Sequence, residues 1–122
     1  MAVVLCTGNN PVLMQTRRLI LEAAGHSVIT ATRPSDVVAA CKEHVLDVAI
    51  VGQSYSANER KSMASMIRQH APSAKILELY QANQNRAIED ADSWLEVPAE
   101  VPQELAQRVE QLAGAKPEAR LD

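Results

Sequence analysis

Short, mainly apolar runs alternate along this chain with longer segments in which apolar residues recur every three or four positions, and this alternation constrains the fold most. Five of these runs predict strands over residues 2–6, 26–32, 46–51, 75–79 and 93–97. Apolar strands separated by helices and short connections predict parallel pairing with right-handed crossovers. The sequence therefore predicts an α/β fold, an open five-stranded parallel sheet with helices on both faces.

Capping and breaking residues delimit the predicted helices. Asn10 is suited to be the N-cap of a first helix that starts at Pro11 and ends at Gly25. Ser35 is predicted to cap a second helix that ends near His44. A third helix is predicted over residues 58–70, and a last one from Pro102 to Gly114. Residues 2–114 then form one domain, and the polar residues 115–122 are predicted to be a disordered tail.

Helical spacing also predicts which side chains face the sheet. In the first helix the pattern favours an inward face made by Leu13, Ile20 and Ala24. In the last helix the predicted inward residues are Leu105, Val109 and Leu112.

Composition narrows the classes of function and location. The chain has 12 basic and 15 acidic side chains, a net charge of −3, so it lacks the basic excess that nucleic-acid binding normally requires. No apolar run approaches the roughly 20 residues that cross a bilayer, and no secretory signal is recognisable. The two cysteines, Cys6 and Cys41, lie in apolar stretches, which favours reduced, buried thiols. We expect a cytoplasmic protein that binds neither nucleic acid nor membranes.

Four segments, in this order and spacing, resemble the receiver domain of bacterial two-component response regulators. They are Asn10-Pro11 at the first helix, residues 24–28 before the second strand, residues 46–51 as the central strand, and residues 91–98 around the fifth strand. The resemblance covers roughly residues 2 to 113 and implies a flavodoxin-like fold. It also implies a cis peptide bond between Val97 and Pro98.

The positions that carry receiver chemistry depart from the family pattern in this sequence. Receivers bind Mg²⁺ through an acidic pair and phosphorylate an aspartate, which needs hard oxygen ligands and a neutralising cation. The acidic pair corresponds to Gly8 and Asn9, or to Thr7 and Gly8 if the turn is shifted by one residue. The acceptor corresponds to Gly52, the hydroxyl residue to Tyr80 and the lysine to Val97. The resemblance therefore implies a degenerate receiver with no catalytic residue, no metal and no cofactor.

The resemblance also suggests where a partner would bind. The segment between Tyr80 and residue 91 is shorter than in most receivers, so we expect a shortened fourth helix. Candidate partner-binding residues on the fifth strand and last helix are Trp94, Glu104, Arg108 and Gln111. Trp94 could equally cap the core where the helix has shrunk, and the other three could be ordinary solvent contacts. The leading hypothesis is a module that binds another signalling protein (a histidine kinase, a regulator or an effector) or itself, independently of phosphorylation.

A second hypothesis is a sensor of a small ligand or an anion. The vacated pocket between Gly8, Gly52 and Tyr80 lies at the carboxyl ends of the predicted strands, where open α/β sheets bind their ligands. Backbone amides around Gly8 and Asn9 precede a helix N-terminus and could cradle an anion. An ordinary capped turn explains the same residues.

A third hypothesis is a cysteine phosphatase. Residues 4–9 resemble the start of the low-molecular-weight phosphatase loop, with Cys6 as the nucleophile. That loop needs an arginine where this chain has Val12, so a buried strand cysteine is favoured. No pair of carboxylates converges for acid-base work, and the three histidines are too scattered for zinc. The acidic residues are spread over both ends of the sheet, and a solvated surface explains most of them; the group includes Asp36, Asp47, Glu78, Asp90 and Asp92.

Overall fold

Five parallel strands form one sheet in the computed structural model, which describes residues 1–98 and 101–114. The strands are β1 (Val3–Thr7), β2 (Ser27–Ala31), β3 (Val48–Val51), β4 (Lys75–Gln81) and β5 (Ser93–Val97). The helices are α1 (Pro11–Ala23), α2 (Pro34–Glu43), α3 (Ala57–His70) and α4 (Gln103–Gly114). The strand order is β2-β1-β3-β4-β5, so the predicted doubly wound sheet is confirmed. The order reverses between β1 and β3, which makes their carboxyl ends the topological switch point.

Both faces of the sheet are covered, which explains why its central strands are continuous apolar runs. Helices α2 and α3 pack on one face, over a core cluster that includes Leu5, Val37 and Ile67. Helices α1 and α4 pack on the other, where Leu105, Val109 and Leu112 are buried as predicted. Both cysteines are buried and free, as predicted.

Local side-chain chemistry fixes the helix ends. The Asn10 side chain accepts hydrogen bonds from the amides of residues 12 and 13, so the predicted N-cap of α1 is confirmed. Gly25 adopts a positive φ of 94° just beyond the helix, where a side chain would be strained. The predicted cap at Ser35 is wrong. The N-cap of helix α2 is Arg33, two residues earlier, and it makes no side-chain hydrogen bond; the helix starts at Pro34, which pre-sets the first helical turn.

The inward face of α1 also differs from the prediction. The buried residues are Met14, Arg17 and Leu21. Of the residues predicted to face inward, Leu13 and Ile20 are half-buried and Ala24 is exposed. Leu13 and Ile20 instead line a cavity to which Leu105 of α4 also contributes. The helix is therefore rotated so that one arginine points toward the sheet.

The connection between β4 and β5 forms turns and no helix, so the expected shortened fourth helix is reduced further than predicted. The carboxylate of Glu78 explains this conformation. It accepts hydrogen bonds from the amides of Ala87 (2.8 Å) and Ile88 (2.9 Å) and from Nη1 of Arg60 (2.6 Å). Those two amides cannot also bond within a helix, so the segment is held flat against the sheet.

The chain leaves β5 through a cis peptide bond between Val97 and Pro98, as the resemblance implied. Helix α4 ends at Gly114, and the tail predicted at residues 115–122 lies outside the described residues. Within residues 1–98 and 101–114, no helix is long and apolar enough to span a bilayer.

Candidate functional site

The switch point between β1 and β3 brings two glycines into contact. Thr7 and Val51 are paired across these strands, and Gly8 and Gly52 follow them directly. The amide of Gly52 donates to the carbonyl oxygen of Thr7 over 3.1 Å. A Cβ atom added to Gly52 would lie 2.7 Å from that oxygen and 3.4 Å from Cα of Gly8. The backbones therefore approach so closely that position 52 accommodates only glycine without a shift of the main chain.

The guanidinium of Arg17 occupies the space beside Gly52. Its Nη1 would lie 3.3 Å from a Cβ at that position, and its Nη2 donates to Oε1 of Gln53 over 2.5 Å. The Arg17 side chain is only 7% exposed, and burial lowers its pKa from the usual value. No carboxylate of residues 1–98 and 101–114 lies within ion-pair distance of it. The site thus contains a buried cation whose only side-chain partner in the described chain is a neutral amide.

The predicted cradle at Gly8 and Asn9 is already filled. A Cβ on Gly8 would lie 2.9 Å from Sδ of Met14, which covers this turn from α1. The amide of Asn9 donates to Oγ of Ser54 over 3.2 Å. Among the residues that the structure describes, no group of three or more histidine, cysteine or acidic side chains could hold a metal ion. Met14 therefore covers the turn at Gly8, and the two described residues of this turn supply no carboxylate ligand.

Tyr80 and Val97 do not join this cluster. Val97 packs in the core between the sheet and helices α1 and α4. Tyr80 follows Leu79, a member of that same core, so the alternation of a strand turns its side chain to the opposite face. There the guanidinium of Arg86 lies 5.3 Å from the Tyr80 ring centre and 4.8 Å from that of Trp94. The structure thus brings Gly8 and Gly52 into contact, places Val97 on the cavity that Arg17 and Gln53 also line, and puts Tyr80 on the opposite face of the sheet.

The predicted partner-binding residues are more firmly held than the sequence suggested. Trp94 is half-buried against the core, and its indole nitrogen donates to the carbonyl oxygen of Ile88 over 3.1 Å. Arg108 is also half-buried, and its Nη1 donates hydrogen bonds to Oγ of Ser93 (3.1 Å) and to the carbonyl oxygen of Trp94. Arg108 therefore ties α4 to β5 instead of pointing freely to solvent. Glu104 is half-buried, and Gln111 alone of the four is exposed as predicted.

The environment of Cys6 argues against a cysteine nucleophile. Its side chain is fully buried within β1, with Sγ 4.0 Å from Sδ of Met14. Burial raises the pKa of the Cys6 thiol to about 11, although nearby Arg17 acts in the opposite direction. Since the thiolate is the reactive form, this thiol is a poor nucleophile at neutral pH.

We expect the buried thiol of Cys6 to make stability fall at alkaline pH. Its pKa is raised from 9.0 to about 11 on folding, so stability is complete below pH 9 and decreases as the pH rises toward 11. The expected decrease in the free energy of unfolding is about 2–3 kcal/mol. Urea unfolding of the wild type and Cys6→Ala between these pH values would measure it.

Tyr55, whose pKa burial raises to about 12, contributes a similar decrease at higher pH, so the comparison between variants matters more than the absolute slope. Cys6→Ala should flatten the dependence on pH, whereas Cys41→Ala should retain most of it. Equal slopes for the wild type and Cys6→Ala would contradict the assignment.

Solved structures that share this fold include response regulators and their receiver domains. A response regulator from Thermotoga maritima superposes with a TM-score of 0.79 at 18% identity, over 93% of this chain and 98% of that one. A second match is the receiver domain of a sensor histidine kinase from Pseudomonas aeruginosa PAO1, solved with magnesium in its active-site cleft. Its TM-score is 0.78 at 15% identity, and the alignment covers 93% of this chain and 98% of that one. A chain from the complex of histidine kinase ThkA with response regulator TrrA gives 0.75 at 19% identity, over 92% and 98%. Neither a protein-family model nor a curated protein matches the sequence.

Arg17, which fills the switch point together with Gln53, was not among the residues that the sequence singled out. A signal for Arg17 was present. It lies three residues after Met14 and four before Leu21, so these three positions share one face of α1. Gln53 follows Gly52 at the carboxyl end of the third strand, where open α/β sheets bind ligands, but the sequence gives no sign that it pairs with Arg17.

Proposed function

We propose that this chain is a degenerate receiver that acts in two-component signalling by binding another protein, without accepting a phosphoryl group. The observation that carries the proposal is the side chain of Arg17 beside Gly52, where a receiver would hold its acceptor aspartate. Gly52 offers no nucleophile, and Arg17 together with the Thr7 carbonyl leaves no space for one. Phosphoryl transfer requires a nucleophile at this point.

The composition of the neighbouring turn supports the same proposal. The Pseudomonas receiver was solved with magnesium in its cleft. Magnesium prefers carboxylate and other hard oxygen ligands. At the corresponding turn this chain has Gly8, covered by Met14, and Asn9, tied to Ser54. The alternative of a ligand pocket bounded by Gly8, Gly52 and Tyr80 is not favoured, because Arg17 and Met14 fill the first two positions.

The surface that we propose for the partner is the edge formed by β5, the connection that precedes it and the exposed face of α4. At this edge the Arg86 guanidinium lies beside the rings of Tyr80 and Trp94, which presents an exposed cation on two aromatic side chains. Arginine and aromatic side chains dominate the binding energy of many interfaces. Gln111 extends the surface along α4. The partner is another signalling protein or a second copy of this chain.

Treatment with acetyl phosphate and magnesium tests the absence of phosphorylation. We expect no phosphoryl adduct by intact-mass spectrometry, and no change in the fluorescence of Trp94, the only tryptophan, when magnesium or beryllofluoride is added. The Pseudomonas receiver, treated in parallel, serves as the control. Stoichiometric labelling of this chain, or a magnesium-dependent quench, would refute the proposal.

Crosslinking in the native cell tests the partner surface. A photoreactive residue placed at position 86 or 111 should give the same discrete crosslinked species, whether or not acetyl phosphate accumulates in the cell. The matched control is position 43, which is exposed on α2. Equal crosslinking from all three positions, or none from positions 86 and 111, would argue against this surface.

A further inference from the structure

A cavity of about 380 Å³ lies between α1, α4 and the carboxyl ends of β4 and β5. Its volume falls within the range of small-molecule sites. The walls are mainly apolar side chains, among them Leu13, Ile20, Leu79, Leu95 and Leu105. This space differs from the pocket predicted from the sequence, because Gly8, Gly52 and Tyr80 do not line it.

Among the described residues that line this cavity, Arg17 is the one charged side chain, and it lies beside Gln53. A guanidinium carries five N–H donors in a planar fork, and one hydrogen bond to Oε1 of Gln53 leaves most of them without a side-chain acceptor in the described chain. A buried cation without an opposite charge is costly. The cavity therefore combines apolar walls with a cation that an incoming anion would neutralise.

We propose that this cavity binds a small monocarboxylic acid with an apolar body. The guanidinium of Arg17 matches a carboxylate in geometry and pairs with it through two parallel hydrogen bonds. The leucine and isoleucine side chains then cover the apolar part of the ligand. A single cation among apolar walls disfavours inorganic phosphate, which carries more charge and no apolar body. The inference does not rest on the proposed signalling function, since binding is measurable with the purified chain alone.

Calorimetric titration with straight-chain carboxylates, from butanoate to octanoate, tests the proposal. We expect the association constant to rise about fourfold per added methylene until the cavity is full. Octan-1-ol, which has the apolar body without the charge, and inorganic phosphate, which has the charge without the body, should each bind about tenfold more weakly or not at all. Amide chemical-shift changes at residues 17, 53 and 97 would locate the site.

Two variants separate the charge from the cavity. Arg17→Gln retains a donor for Gln53 and removes the cation, so octanoate should bind about tenfold more weakly or worse. The matched control is Arg18→Gln, because Arg18 is exposed and pairs with Glu22, and its binding should equal that of the wild type. Leu13→Trp narrows the cavity with Arg17 in place, so it should weaken octanoate more than butanoate. If Arg17→Gln does not fold, the octanoate affinity of Leu13→Trp tests the proposal by itself.

Three results would overturn the proposal. The first is failure of every carboxylate to bind. The second is phosphate or octan-1-ol binding as tightly as octanoate. The third is octanoate binding that is unchanged in Arg17→Gln, or unchanged in Leu13→Trp when Arg17→Gln does not fold.

Discussion

Glu78→Ala is expected to lower the free energy of unfolding by about 3–5 kcal/mol. The Glu78 side chain is completely buried and ion-paired to Arg60, which is 3% exposed. Removing the carboxylate leaves that guanidinium uncompensated, and it also leaves the amides of Ala87 and Ile88 without acceptors. In the described chain Arg60 would keep only a long hydrogen bond from Nη1 to the carbonyl oxygen of Asn85 (3.4 Å), and its buried Nε already lacks a partner. Urea unfolding followed by circular dichroism would measure the change.

The matched control is Glu96→Ala, because Glu96 lies on the adjacent strand β5 and is exposed. Its effect should stay within about 0.5 kcal/mol. The double variant Arg60→Met with Glu78→Leu should be more stable than Glu78→Ala, since replacing both charges by apolar groups avoids an unpaired ion. A loss below about 1 kcal/mol in Glu78→Ala would contradict the role given to this pair.

The fold was predictable because each level of the sequence pointed to the same architecture. Continuous apolar runs, a cap at Asn10 and a stop at Gly25 all favoured strands and helices that the structure contains. These signals are local, so they can be recognised in the sequence without knowledge of the tertiary contacts. The boundary that failed, at Ser35, failed where Pro34 offered a competing start one residue earlier.

Buried charges were the part of the sequence that local reasoning interpreted wrongly. Glu78 was placed in a group of acidic residues most of which were interpreted as solvated, although it stands between Leu77 and Leu79 in an apolar strand. Arg17 was left out of the inward face of α1, because an apolar pattern through Leu13 and Ile20 fitted equally well. In both cases the deciding factor is a partner distant in sequence, Arg60 for Glu78 and Gln53 for Arg17. A single sequence does not reveal such pairings.

The candidate site was likewise predicted in part: its position in the fold was predicted, but the side chains that fill it were not. The sequence indicated that the turns of Gly8 and Gly52 would meet, because strand order determines which turns are neighbours, and the two glycines are in contact. It did not indicate that the space between them would be filled. That depends on the rotation of α1, which brings Met14 and Arg17 over the two glycines. An emptied receiver pocket was therefore expected where the structure contains a packed one.

Gly52→Ala is expected to lower the free energy of unfolding by about 1–3 kcal/mol, the usual cost of overpacking a buried position. The new methyl would meet the Thr7 carbonyl oxygen at 2.7 Å, a backbone atom that is fixed by pairing between β1 and β3. The other close atom, Nη1 of Arg17 at 3.3 Å, belongs to a longer side chain, so the backbone contact decides the cost. Thermal and urea unfolding would both report it.

The control for Gly52→Ala is Gly114→Ala, because an added Cβ at the end of α4 meets no atom within 4 Å. That variant should change stability by less than about 0.5 kcal/mol. Gly52→Asp meets the same backbone oxygen and places its carboxylate beside Arg17, where the guanidinium would pair with it. We therefore expect Gly52→Asp to be destabilised and to remain unlabelled by acetyl phosphate. Gly52→Ala as stable as the wild type, or Gly52→Asp readily phosphorylated, would show that this end of the sheet retains space for an acceptor.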